Sequence, residues 1–104
     1  MNEPDTYNMK NDLNHVKSLV QKGLEGHDVK VILFGSHATG KAGRTSDIDV
    51  AVLPVGRLPV GLLSRIREAL QESHVPFNVE LVDLSQTDEA FKKRVLEEGI
   101  VWAG

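Results

Sequence analysis

Residues 29–54, VKVILFGSHATGKAGRTSDIDVAVLP, carry the pattern that decides the fold. Two short apolar runs, 29–34 and 48–53, are rich in β-branched residues and predict two buried strands. The stretch between them, 35–46, contains three glycines and almost no large apolar side chain, which predicts a loop or at most one helical turn. The centre of the chain therefore reads as strand, glycine-rich turn and strand.

Helical periodicity flanks this pair of strands. Before it, apolar residues recur at spacings of three and four over 9–20, and glycines follow at 23 and 26. After it, a second stripe over 62–70 follows Pro59, a residue suited to a helix start. The pattern predicts one amphipathic helix on each side of the two strands.

The last third of the chain adds a strand and a helix. Residues 77–82 predict a third strand introduced by Pro76. We expect Ser85 or Thr87 to cap a final helix that runs to Glu98, with Gly99 as its stop and an apolar segment over 100–102. The element order indicates an α/β or α+β domain, with a small mixed sheet of three to four strands flanked by helices.

Composition limits what this domain can do. The 104 residues predict a flexible N-terminus over 1–7 and one domain over 8–104. The net charge of -3 disfavours general nucleic-acid binding, and the absence of cysteine excludes disulfides, thiolate zinc sites and cysteine nucleophiles. The start of the chain is polar, and no run approaches the roughly 18 apolar residues of a membrane span. We therefore expect a cytoplasmic protein with no membrane partner.

Three carboxylates have the spacing of a cation site. Asp47 and Asp49 stand two residues apart at the head of a strand, so both side chains project to the same face. Glu80 lies on the corresponding face of the third strand, and if the two strands are neighbours the three groups converge, where Mg²⁺ would relieve their repulsion. Asp83 has the opposite parity and can cap the next turn. Ordinary solvated surface charges remain the alternative interpretation.

The glycine-serine turn supplies groups suited to phosphate. Gly35 permits close backbone approach and Ser36 offers a short hydroxyl donor, while Lys41 and Arg44 are candidate phosphate contacts or plain loop charges. Residues 35–41 also fit a P-loop, but Ala42 stands where that motif needs a hydroxyl and no helix is predicted after the lysine. The P-loop interpretation is therefore the weaker one.

Gly35-Ser36, ten intervening residues and Asp47-Ile48-Asp49 resemble the signature of the DNA polymerase beta-like nucleotidyltransferase superfamily, in its minimal (MNT) branch. Residues 79–83 are similar to that family's third-carboxylate strand, and residues 92–102 are similar to the end of minimal members. The resemblance covers about 10–103 and implies a nucleotidyltransferase fold core.

The resemblance implies the chemistry as well. Gly35 and Ser36 would bind the triphosphate, Asp47 and Asp49 would hold Mg²⁺, as two ions, and Glu80 would complete the metal site or activate the acceptor hydroxyl. The family transfers a nucleoside monophosphate, usually AMP from ATP, and releases pyrophosphate. Similar minimal proteins are antitoxins that modify a small HEPN ribonuclease toxin. The chain is too short for a second lobe to hold the acceptor, so we expect that toxin as the protein partner. The assembly would be a homo- or hetero-oligomer.

Two departures from the family pattern keep other functions open. Glu80 replaces the usual Asp, and His37 and Thr39 stand where relatives often carry arginine. A transferase that has lost catalysis and neutralises its partner by binding is the second hypothesis. A small-molecule transferase of the antibiotic-modifying type is the third.

Overall fold

The computed structural model describes residues 9–40, 47–73, 75 and 77–103. The predicted flexible segment 1–7 and two candidate phosphate contacts, Lys41 and Arg44, lie outside the described residues. The elements in chain order are α1 (Met9–Gly23), β1 (Val29–Phe34), α2 (Ser36–Thr39), β2 (Ile48–Pro54), α3 (Leu62–Glu72), β3 (Val79–Asp83), a 3₁₀ turn (Leu84–Gln86), α4 (Glu89–Glu98) and β4 (Ile100–Ala103).

The four strands form one mixed sheet in the order β3-β2-β1-β4. β1 pairs antiparallel with both β2 and β4, whereas β2 and β3 run parallel. The parallel pair is joined through α3, a crossover of the kind that parallel neighbours require. The predicted α/β class and mixed sheet are confirmed, and the terminal apolar segment forms the fourth strand.

Alternate residues of the strands serve two apolar clusters, one on each face of the sheet. Ile48, Val50 and Val52 are fully buried against α1 and α3, as their parity predicts. The opposite face carries a smaller cluster beneath α4 and the 3₁₀ turn, which includes Ala51 and Val95. Burying one such aliphatic side chain contributes about 1.5–3 kcal/mol. On this second face, α4 and the 3₁₀ turn do not extend over the start of β2, where the carboxylates lie.

The helices over the larger cluster meet at a glycine. Gly23 is the last residue of α1, and a Cβ built there would lie 2.5 Å from Ile66 Cγ1 of α3. A side chain at position 23 would therefore push the helices apart. Of the described helices, none is long and apolar enough to cross a membrane.

The cap of α4 differs from the sequence prediction. The capping residue of α4 is Asp88, whose Oδ1 accepts a hydrogen bond from Phe91 N at 2.7 Å, so the prediction of Ser85 or Thr87 was wrong. Those two residues belong to the 3₁₀ turn and its end, where Thr87 Oγ1 donates to Leu84 O at 3.0 Å. Aspartate and serine are comparable caps, and Asp88 takes the role because the hydroxyls of Ser85 and Thr87 are engaged by the preceding turn.

The start of the third strand and the backbone conformation at the end of α4 also differ from the prediction. β3 begins at Val79, two residues later than predicted, and Phe77 packs on the larger cluster from the lead-in segment. Gly99 ends α4 as predicted, but with φ −80° in an extended conformation rather than a left-handed one. Glycine suits this position because a Cβ there would overlap Ile32 Cγ2.

Candidate active site

The turn after β1 closes around the carbonyl of Gly35. That oxygen accepts hydrogen bonds from Ala38 N at 3.0 Å and Thr39 N at 3.2 Å, forming the single turn of α2. Gly40, in the left-handed region with φ 79°, ends it. The prediction of at most one helical turn holds for residues 35–40, and the turn places Ser36 immediately after the end of β1.

Gly35 and Asp49 are in direct contact at the head of the sheet. Gly35 has φ 78° and ψ −154°, a backbone conformation that is essentially restricted to glycine. A Cβ built on it would overlap Asp49 Oδ2 and lie 3.2 Å from the carboxyl carbon. The glycine therefore does two things here: it turns the chain out of β1 and leaves room for a carboxylate.

The sheet register brings Asp49 beside Glu80. Asp49 pairs with Glu80 across the parallel β2–β3 ladder and with Phe34 across the antiparallel β1–β2 ladder. Cross-strand partners share a face, with strands about 4.8 Å apart. Asp49 is half-buried, whereas Asp47 and Glu80 are exposed. Glu80, Asp49 and Phe34 thus form one row across the end of the sheet.

Asp83 lies away from this row. Its backbone pairs with Val52, near the opposite end of β2. Its Oδ1 accepts hydrogen bonds from Ser85 N at 2.9 Å and Ser85 Oγ at 2.6 Å, so it caps the 3₁₀ turn as its parity suggested. Of the two acidic residues of β3, the structure brings Glu80 to Asp49.

The carboxylates influence each other electrostatically. Burial raises the pKa of Asp49 above its ordinary value, the negative charges of Asp47 and Glu80 raise it further, and His37 opposes the change. Glu80 Oε2 also accepts a hydrogen bond from Asn78 Nδ2 at 2.9 Å. Concentrated negative charge beside a half-buried carboxyl is the environment that a cation would stabilise.

The donor chemistry of this cluster fits a hard divalent cation. Carboxylate oxygens are the ligands that Mg²⁺ prefers, and one or two of them together with substrate phosphates form its usual protein site. Across the part of the chain that the structure describes, no three His, Asp or Glu side chains already stand close enough to hold an ion. Like charges repel one another at short range, and a bound cation would offset that repulsion.

His37 extends from α2 toward the lead-in of β3. Its ring centre lies 6.0 Å from that of Phe77, with the planes at 79°. This edge-to-face contact ties the turn after β1 to the segment before β3. His37 therefore lies on the rim of the carboxylate cluster.

Sequence reasoning missed a cavity beside Gly35. It has a volume of about 270 Å³ and is lined by Phe34, Gly35, Phe91, Arg94, Val95 and Glu98. The available signal was the spacing in α4, where Phe91 and Val95, and likewise Arg94 and Glu98, are four apart and share a helix face. From the sequence, Phe91 is most simply interpreted as a core residue, so this signal did not point to a site.

A glycine-serine turn after the first strand and acidic residues on two adjacent strands define the class of the protein, a nucleotidyl-transferring α/β domain. The chain belongs to the family described as Polymerase beta, Nucleotidyltransferase, whose model matches residues 11–103. The probable protein adenylyltransferase MntA of Haemophilus influenzae is 33% identical over 90 residues, which span 86% of this chain and 77% of that protein.

Solved structures of toxin–antitoxin complexes are also similar to this chain. A toxin–antitoxin crystal structure with AMP-PNP matches at TM-score 0.67 and 28% identity, over 85% of this chain and 73% of that one. The complex of a tri-AMPylated Shewanella oneidensis HEPN toxin with its MNT antitoxin matches at TM-score 0.68 and 24% identity, over 93% and 73%. Because the second match is only 24% identical, it shows similarity of fold alone.

Proposed function

We propose that this protein is a Mg²⁺-dependent transferase that moves AMP from ATP to a hydroxyl of a protein partner, acting as the antitoxin of a HEPN ribonuclease toxin in the cytoplasm. The observation that carries the proposal is the pairing of Asp49 with Glu80 directly beside Gly35. This geometry provides acidic ligands and a phosphate-accommodating turn at one end of the sheet.

The residues divide between the phosphates and the cation. Gly35 allows the triphosphate to approach the backbone, and the Ser36 hydroxyl donates to a phosphate oxygen. Asp47, Asp49 and Glu80 would hold Mg²⁺, which when bound offsets negative charge on the phosphate oxygens. We assign further phosphate contacts to the two basic residues at 41 and 44 on the strength of the sequence alone.

The reaction is an in-line displacement at phosphorus. The acceptor oxygen bonds to the α-phosphorus of ATP while the bond from that phosphorus to the bridging oxygen of pyrophosphate breaks. Pyrophosphate leaves with the electron pair of the broken bond, and the proton of the acceptor hydroxyl passes to Glu80. The products are an AMP-modified partner and pyrophosphate.

Similarity to two of the proteins described above supports a protein as the acceptor. The Haemophilus influenzae relative is named a probable protein adenylyltransferase, and the 28%-identical structure is a toxin–antitoxin with AMP-PNP, an ATP analogue. The choice of a HEPN toxin follows the resemblance of residues 35–49 to the minimal transferases. A complex with the toxin is the assembly we expect.

The proposal is tested with the purified pair of proteins. The chain, Mg²⁺, ATP and the HEPN-class protein proposed as its partner are incubated, and the intact mass of that protein is measured. We expect the mass to increase by AMP with the wild type and to stay unchanged with the Asp47→Asn/Asp49→Asn variant. An unchanged partner mass with both proteins contradicts transfer to this acceptor.

Binding without catalysis is the second candidate function. His37 and Thr39 on α2, together with Glu80 in place of the family's usual Asp, are the features that favour it. Neutralisation of the toxin by the double Asn variant, to the same extent as by the wild type, would establish this function. Loss of neutralisation in that variant would support the enzyme.

A further inference from the structure

The cavity beside Gly35 lies on the same sheet face as the carboxylates. Phe34, one of its walls, is the cross-strand partner of Asp49, and Asp49 pairs on its other side with Glu80. The cavity therefore lies on the β1 side of the row, and Glu80 lies on the β3 side. A ligand centred on the carboxylates can reach the cavity without leaving this face.

Two aromatic rings line the cavity. Phe34 and Phe91 are half-buried and meet edge to face, with ring centres 5.8 Å apart and planes at 88°. This arrangement fixes both rings, since each is part of the smaller apolar cluster. Rigid aromatic walls bind flat ring systems at little cost in side-chain entropy.

The rim carries one charge of each sign. The Arg94 guanidinium carbon lies 5.9 Å from the centre of the Phe91 ring, and Glu98 follows one helical turn later. Both side chains are exposed at the mouth of the cavity. Guanidinium planes stack on heteroaromatic rings, and a carboxylate accepts hydrogen bonds from a ring amine.

We propose that this cavity binds the adenine base of ATP, with Arg94 stacking on the base and Glu98 accepting a hydrogen bond from its exocyclic amine. The inference rests on the proposed function and adds a nucleobase site to it. At about 270 Å³ the cavity is below the roughly 300–1,000 Å³ of pockets for whole drug-sized ligands, which suits one ring system. If guanine stacks in the same orientation as adenine, it presents a carbonyl at the position of adenine's amine, so in this orientation Glu98 favours ATP over GTP.

An aromatic acceptor side chain is the competing occupant, and the geometry disfavours it. In-line displacement places the attacking oxygen opposite the leaving pyrophosphate. In the proposed function the pyrophosphate would lie at the turn that begins at Gly35, which borders the cavity, so the acceptor would approach from the Glu80 side. The cavity is left to the nucleoside.

Calorimetry with Mg²⁺ and three probes, ATP, GTP and inorganic tripolyphosphate, tests the site. Glu98→Gln and Arg94→Gln are compared with Glu97→Gln, an exposed neighbour on α4 that does not line the cavity. We expect Glu98→Gln to weaken ATP binding about tenfold, as for loss of one charge-assisted hydrogen bond, and to reduce the preference over GTP. We expect tripolyphosphate binding by all variants, and ATP binding by the Glu97 variant, to match the wild type.

The outcomes distinguish failure of the adenine-site proposal from failure of the transferase proposal. If the wild type binds ATP and GTP equally, or if neither cavity variant changes ATP binding, the adenine site is wrong while the transferase proposal stands. Equal weakening of ATP and tripolyphosphate by Arg94→Gln would make Arg94 a phosphate ligand and overturn its stacking role. Absence of ATP binding and of AMP transfer by the wild type with its partner would overturn both proposals.

Discussion

Gly35 and Asp49 form a contact that no other residue type at position 35 could make, because the space for a Cβ is filled by Asp49 Oδ2. The backbone turn and the half-buried carboxylate therefore depend on each other. The turn presents Ser36, and the carboxylate lies next to Glu80 in the sheet. This single contact links the two halves of the Gly-Ser to Asp-x-Asp motif in space.

Replacing Gly35 with Ala should damage stability and function together. The side chain would have to occupy a glycine-only conformation and displace the Asp49 carboxylate, for an expected loss of about 3 kcal/mol in the free energy of unfolding. Gly26→Ala is the matched control, since Gly26 also has positive φ but open space around it, and should lose only about 1–2 kcal/mol. Urea denaturation measures both; equal losses would show that the Asp49 contact is unimportant.

Asp49→Asn should stabilise the metal-free protein while removing transfer. Because the pKa of Asp49 is raised in the folded state, its ionisation lowers the free energy of unfolding once the pH exceeds that raised pKa. The penalty disappears as the pH falls below the unfolded value of 3.8, where both states are protonated. In the absence of Mg²⁺ the variant should melt higher than wild type at pH 7, and the difference should shrink toward about pH 3.

Thermal melts across this pH range, with Ser18→Ala as a distant surface control, check the sign of the effect. A variant that melts at or below the wild-type temperature at pH 7 would contradict the electrostatic interpretation of Asp49. Added Mg²⁺ should raise the wild-type melting temperature more than that of the variant.

Glu80→Gln and Asp83→Asn should separate the two carboxylates of β3. Removing the group that accepts the hydroxyl proton should lower the rate of AMP transfer on the order of 10²–10⁴-fold. Asp83→Asn keeps the cap of the 3₁₀ turn, because asparagine caps nearly as well, and should transfer at close to the wild-type rate. Loss of transfer in the Asp83 variant alone would mean that the wrong carboxylate has been assigned.

Gly23→Ala should destabilise the protein although alanine favours helix. The helical gain is about 1 kcal/mol, but the new methyl would lie 2.5 Å from Ile66 Cγ1, and overpacking costs roughly 1–3 kcal/mol. In a double-mutant cycle with Ile66→Ala, the two changes should be less damaging together than their sum. Additive effects in urea denaturation would show that α1 and α3 do not meet at this pair.

Local pattern was enough for most of the elements. The β-branched runs of 29–34 and 48–53 specify strands, and the period-two alternation of Ile48, Val50 and Val52 specifies which face is buried. The cap of α4 was misassigned because hydroxyls at 85 and 87 and the carboxylate of Asp88 all have suitable chemistry, and only the position of the preceding 3₁₀ turn selects among them.

The sequence by itself determined the strand-turn-strand core and the sheet face on which Asp49 lies, because side-chain direction in a strand follows from spacing alone. Only the tertiary structure decided that β3 lies beside β2, that its register pairs Glu80 with Asp49, and that Phe91 and Arg94 border Gly35. These relationships join residues about 30 to 60 positions apart. They depend on how helices pack on the two faces of the sheet, which no local pattern encodes.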